Sequence, residues 1–173
     1  MEIERKFIVK DMPDLSTAKE VWHIEQAYLC GKPTLRIRKK NDEYILTYKS
    51  QKGLGKMCKE FNTRINEEVE LPLSKSAYEH LLSKCDDNVV YKTRYIFPLD
   101  EKHKAELDVF RDKLEGLRMV EVEFETPEEA KDFVAPEWFG TDVSADSRFS
   151  NRMLSKMESY NITDPGADNE GFN

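Results

Sequence analysis

The sequence predicts a mainly β, α+β fold: an antiparallel sheet that closes into a barrel, with flanking helices outside and charge inside. Three observations predict it. Period-2 alternation of polar and apolar residues recurs along almost the whole chain, the mark of strands. The polar faces of those strands are sorted by sign rather than mixed. Helical signals are few, and they fall between strand runs.

The runs follow in order. Residues 2–9 alternate Glu2, Glu4 and Lys6 with Ile3, Arg5 and Phe7. A short helix is expected near 14–20, with Asp14 or Ser16 as its cap. Strands are expected at 22–29, 34–40 and 43–49, the last two joined by a hairpin turn through Lys40-Asn41-Asp42-Glu43. Residues 51–56 read as a polar, glycine-containing loop, and strand patterns resume at 58–71. A helix over 74–85 carries a capping box at Ser76 and Glu79. Further strands occupy 91–98, 104–110 and 118–125. Thr126-Pro127-Glu128-Glu129 opens a helix to about Val134, with Pro at the first helical position. A last helix is expected over 149–158. The chain then reads as one domain over 1–158 and a polar, mobile tail over 159–173.

Alternation fixes which side chains share a face. Arg36 and Arg38 oppose Leu35 and Ile37, and Lys92 and Arg94 oppose Tyr91, Thr93 and Tyr95. Glu106 and Asp108 oppose Leu107, and Glu121 and Glu123 oppose Val120 and Val122. One reading is a half-buried sheet with its polar side in water. The other closes the sheet, with apolar faces outward under helices and charges inward. Single-sign sets favour the second, because like charges two residues apart repel unless opposite charge lies between them. A lumen holding both carboxylates and Lys/Arg is costly when empty. It suits a polyanion complexed with a hard divalent cation, Mg²⁺ or Mn²⁺, with Arg and Lys on the phosphate oxygens.

Bulk properties narrow the classes. A chain of 173 residues with 39% hydrophobic and 35% charged content is one charge-rich domain. Its net charge of −7 argues against a nucleic-acid partner, which needs a basic surface. Cys30, Cys58 and Cys85 have no CxxC spacing and are expected to be reduced thiols. No apolar stretch has membrane-spanning length and the first residues carry no signal core, so a cytoplasmic protein without a membrane partner is expected. His23, His80 and His103 are scattered, and Trp22 and Trp138 are expected in core or rim packing. Gly53-Leu54-Gly55-Lys56 lacks the spacing of a phosphate loop.

The opening Glu2-Ile3-Glu4-Arg5-Lys6-Phe7 resembles the ExExK signature of the CYTH, or triphosphate tunnel metalloenzyme, family. The resemblance continues in order through QAYL at 26–29, RIR at 36–38, TYK at 47–49, EEVE at 67–70, KTR at 92–94, ELD at 106–108, VEVE at 120–123 and DSRFSN at 146–151. It covers residues 1–157 and implies an antiparallel tunnel of about eight strands that binds a small-molecule triphosphate with metal. Glu2, Glu4 and Glu123 resemble the metal ligands, with Asp108 and Glu121 assisting. Lys6, Arg36, Arg38, Lys49, Lys92 and Arg94 resemble the phosphate cradle. Glu4 and Glu121 are the candidates to activate water, and Lys92 is assigned to catalysis as well as to the cradle. Glu68 and Glu70 depart from the family pattern, since Asn66 stands where Arg is usual; Arg64 is the candidate substitute. Arg148 and Asn151 match a C-terminal signature. The activity implied is metal-dependent hydrolysis of inorganic tripolyphosphate by a monomer or homodimer. Adenylyl cyclase, thiamine triphosphatase and a non-catalytic polyphosphate binder are the alternatives.

Overall fold

A computed structural model describes residues 2–50 and 64–166; at Glu2, at Ser50 and over 64–67 it describes the backbone only. The strands are β1 (Glu2–Val9), β2 (Glu20–Gly31), β3 (Thr34–Lys40), β4 (Glu43–Ser50), β5 (Arg64–Pro72), β6 (Val90–Pro98), β7 (Lys104–Phe110), β8 (Arg118–Phe124) and β9 (Phe139–Asp142). The helices are α1 (Lys75–Leu82), α2 (Pro127–Asp132) and α3 (Asn151–Leu154). All pairings are antiparallel, in the order β5-β4-β3-β2-β6-β7-β8-β1-β9.

The expected barrel of about eight strands is corrected in two ways. Among the described residues the sheet has nine strands, and it is not closed into a barrel: the end strand β5 touches β1 only through Glu2↔Asn66, Ile3↔Ile65 and Glu4↔Arg64. Beyond Glu4 that edge of β1 is taken by β9, at Phe7↔Asp142 and Val9↔Phe139. β9 is too short to leave an alternation signal. Its Gly140 permits the approach, because a Cβ there would lie 2.8 Å from the Ile8 carbonyl oxygen.

Local chemistry sets the remaining boundaries. The β3–β4 turn consists of Asn41 and Asp42, and Asn41 takes φ 51°, a left-handed conformation that asparagine tolerates. Ser74, not Ser76, caps α1 by accepting from the Ala77 amide; the Ser76–Glu79 box does not form because Ser76 is already inside the helix. Thr126 caps α2 as expected, but the helix stops at Asp132. Near residue 15 there is only a 3-10 turn, Leu15–Thr17, capped by Asp14. The last helix shortens to α3 behind a 3-10 turn at Ser147–Phe149. The tail is tied down further than expected. Tyr160 donates its amide to the Lys113 carbonyl at 3.0 Å, Tyr160 and Ile162 pack on the core, and the Gly166 amide donates to Asp146 Oδ2 at 3.2 Å.

The apolar faces point away from the charged one. Ile3, Phe7, Leu107, Val120, Val122 and Phe124 pack beneath α2 and β9. Ala27 and Ile37 pack beneath Tyr78 of α1. Burying a side chain of Phe7's size stabilises by about 1.5–3 kcal/mol, so covering these faces holds the sheet together. Arg5 lies on this outer side. Its Nε and Nη2 donate to Asp142 Oδ2 at 3.1 and 2.7 Å, and Nη1 donates to the carbonyls of Ala130 and Phe133 at 3.0 and 3.2 Å. Arg5→Met should therefore cost about 1.5–3 kcal/mol, the range for hydrogen bonds to charged groups, with turnover per folded molecule unchanged. Chemical denaturation alongside an activity assay checks both halves.

Candidate functional site

The charged faces converge on one cavity of about 430 Å³. Among the described residues eight bases line it, Lys6, Arg36, Arg38, Lys40, Lys49, Lys92, Arg94 and Lys104, together with seven acids, Glu4, Glu43, Glu68, Glu70, Glu106, Glu121 and Glu123. All six bases expected in the cradle are in this wall. Of the expected acids Glu4, Glu121 and Glu123 are there, while the Glu2 side chain lies outside the described residues. So do Arg64's side chain, Cys58 and residues 53–56. No helix among the described residues is long and apolar enough to cross a membrane.

Strand register explains the charge arrangement. Glu106 of β7 and Glu121 of β8 are direct partners, a like-charge pair that would repel. Arg94 of β6 resolves it. Its Nη2 donates to Glu121 Oε2 at 2.7 Å and to Asp108 Oδ2 at 2.6 Å, its Nε donates to Asp108 Oδ1 at 2.7 Å, and its Nη1 donates to Glu106 Oε2. Lys92 Nζ donates to Asp108 Oδ2 at 2.5 Å. Lys6 Nζ lies 2.7 Å from Glu121 Oε1 and 3.2 Å from Glu4 Oε1.

Asp108 thus differs from its expected position. It is fully buried and absent from the cavity wall, and both oxygens accept from Lys92 or Arg94. The alternation that put it beside Glu106 was right about the face but silent about depth: Asp108 pairs across to Met119, one step below Glu106↔Glu121. It orients the two bases from beneath.

On the opposite wall Arg36 reaches Glu68 at 3.3 Å, Arg38 reaches Glu70 at 2.7 Å and Lys49 reaches Glu68 at 2.9 Å. Glu68 and Glu70 therefore belong to the site despite the departure at Asn66. Arg148 stays outside the cavity, with Nη2 2.6 Å from Asp146 Oδ2. Asn151 of α3 does line it.

Electrostatics follow from burial and neighbours. Burial pushes the Lys92 ammonium down to about 8, against the pull of Asp108. Arg94 resists the same burial, since Asp108, Glu121 and Glu106 hold it well above its ordinary value. For Glu121 burial opposes ionisation, yet Lys6, Arg94 and Lys92 keep its carboxyl well below the usual carboxylate range. Burial and then neighbouring Arg36 lower Arg38.

Buried polar atoms reveal what the wall lacks. Nε of Arg36, Nε of Arg38 and Nε2 of Gln26 are donors with no hydrogen-bond acceptor among the described residues. Each belongs to a side chain lining the cavity. Three buried donors without acceptors are unfavourable alone and fit a ligand rich in oxygen acceptors. Gln26, Lys40, Lys104 and Glu106 were not assigned a role from sequence. Gln26 and Glu106 lie within or beside motif segments; Lys40 and Lys104 end strands, where alternation is a weak guide.

Glu4 of β1 and Glu123 of β8 are also direct register partners, both in the wall. Adjacent carboxylates are hard oxygen donors suited to Mg²⁺ or Mn²⁺. Among the described residues no group of three or more acidic, His or Cys side chains forms a ready metal site. Mg²⁺ does not require one, because it is commonly held by one or two carboxylates plus substrate phosphates.

Comparison with known proteins agrees with this geometry. The CYTH domain matches residues 1–159. An inorganic triphosphatase of Nitrosomonas europaea is 36% identical over 158 residues, covering 89% of this chain and 96% of the relative. One from Acetivibrio thermocellus is 34% identical over 157 residues, covering 90% and 93%. The crystal structure of an inorganic triphosphatase superposes with a TM-score of 0.65 at 33% identity, covering 90% of this chain and 94% of that one. A Hippeastrum protein described as a candidate adenylyl cyclase with a dominant triphosphatase activity shares the fold, with a TM-score of 0.56 at 18% identity over 76% of this chain and 83% of that one. With the domain matched over nearly its whole length and relatives above 30% identity, the chain belongs to the CYTH domain family.

Proposed function

We propose that this protein is a divalent-metal-dependent triphosphatase that hydrolyses inorganic tripolyphosphate to release phosphate. The observation that carries the reading is the cavity wall, which among the described residues holds eight bases, seven acids and three buried donors without acceptors. Its similarity to two inorganic triphosphatases over most of its length supports the reaction type. The brief β1–β5 pairing supports a tunnel whose wall is continuous around the substrate.

Arg36, Arg38 and Lys49 hold the phosphate chain from one side, and Lys6, Lys92 and Arg94 from the other. The forked guanidinium groups fix orientation and the ammonium groups supply point charge. Asp108 keeps Lys92 and Arg94 aimed. Glu4 and Glu123 would hold Mg²⁺ or Mn²⁺, which would supply positive charge against that developing on the phosphates. Glu4 orients the attacking water and accepts its proton, while Glu121, with its two oxygens on Lys6 and Arg94, keeps those bases in place. Most of the acceleration is then positioning and electrostatics.

Phosphate and cyclic AMP release from tripolyphosphate, ATP and thiamine triphosphate test this, with and without Mg²⁺ or Mn²⁺. Metal-dependent phosphate release from tripolyphosphate is expected. Absence of turnover with every substrate and both metals would leave only polyphosphate binding.

A further inference from the structure

The cavity changes character at one rim. Trp22 lies near the start of β2, Lys40 ends β3 and Lys104 opens β7, and all three line the cavity. Trp22 Nε1 donates to Glu20 Oε2 at 3.0 Å, which fixes the ring. Lys40 Nζ sits 3.5 Å from the ring centroid and Lys104 Nζ 5.9 Å from it.

Lys40 differs from every other base in the wall. Seven of the eight form ion pairs with carboxylates. Among the described residues Lys40 forms none; its contact is the indole face. Cation–π attraction seats an ammonium without pairing it to a carboxylate, so Lys40 remains available to an anion. The same contact closes that ring face to a nucleobase, which would otherwise find a stacking platform there.

We propose that Lys40, seated on Trp22 and assisted by Lys104, binds the outermost phosphoryl group of an inorganic chain and so selects tripolyphosphate over nucleoside triphosphates. This rests on the triphosphatase reading and names the residues that set its substrate class. An unesterified terminal phosphoryl carries more negative charge than one esterified to ribose, and it brings no sugar. Two ammonium groups at the rim favour the first and offer the nucleoside nothing.

The test compares kcat/KM for tripolyphosphate and ATP in the wild type, Lys40→Met and Trp22→Leu, with thermal unfolding as a check on folding. If ATP is not turned over, its inhibition constant replaces its KM. Lys40→Met should lower kcat/KM for tripolyphosphate on the order of tenfold, equivalent to about 1.4 kcal/mol, mainly through KM. ATP should change by less than about twofold on the same scale. Trp22→Leu should shift the ratio in the same direction by less, because Lys40 keeps its charge but loses its seat. Equal losses on both substrates, no loss on either, or a larger loss on ATP would each overturn the proposal. A wild type that hydrolyses neither substrate overturns the triphosphatase reading itself; an active wild type with an unchanged ratio in Lys40→Met overturns only the selectivity.

Discussion

Arg94→Met should abolish turnover and destabilise the fold more than any other single change in the cavity wall. Arg94 bridges Glu106, Asp108 and Glu121, all of them buried. Its removal leaves Glu106 and Glu121 as direct cross-strand partners with the bridging charge gone. Breaking a buried ion pair on one side costs about 3–5 kcal/mol; Lys104, Lys92 and Lys6 each stay on one of these acids, but the three carboxylates lose the fork that joins them. For a chain of this size each kcal/mol moves the unfolding midpoint by roughly 2–4 °C, so a fall of about 6–20 °C is expected. Thermal unfolding by circular dichroism measures it. A variant that melts within about 2 °C of the wild type, the shift of less than one kcal/mol, would show that Arg94 does not neutralise the acids as the geometry requires. Arg94→Lys should not rescue, since a single ammonium cannot reach three carboxylates as the fork does.

Glu4→Gln should separate catalysis from binding. The change keeps shape and removes one negative charge from the wall. Metal-dependent turnover should fall by roughly 10²–10⁴-fold, the range for loss of a positioned acid–base group, and Glu123→Gln should behave alike because the two are register partners. Tripolyphosphate binding measured by calorimetry without divalent metal should be retained or tightened, as a repulsive charge is gone. Lys6 keeps its 2.7 Å contact with Glu121, so the fold should survive. Undiminished turnover in both variants would remove the carboxylate pair from the mechanism and leave catalysis to the bases and the remaining acids of the wall.

Both predictions start from residues that alternation had already picked out, and this shows where sequence reasoning is strong. Backbone pleating fixes parity, so Glu4 and Lys6 had to share a face and Arg5 had to leave it. The structure bears this out with Arg5 on Asp142 and the carbonyls beneath α2. The same logic brought Arg36, Arg38, Lys92, Arg94, Glu121 and Glu123 into one cavity. It failed where local signals are short or degenerate. Four-residue β9 shows no period, and two serines near α1 compete as caps, with Ser74 taking the role.

By itself, then, the sequence determined the strand count among the described residues to within one, the shared face of Glu4, Lys6, Arg36, Arg38, Lys49, Lys92, Arg94, Glu121 and Glu123, and the family to which the chain belongs. Tertiary structure alone decided depth and partnership. Period 2 says that Glu106 and Asp108 share a face, but only register against β8 puts Glu106 in the wall and Asp108 beneath it. Likewise Trp22 and Lys40, eighteen residues apart, meet because β2 and β3 pair with Ile24 opposite Lys40. Register is a property of strand pairs, set by turns and by all the packed faces at once, so no single strand encodes it.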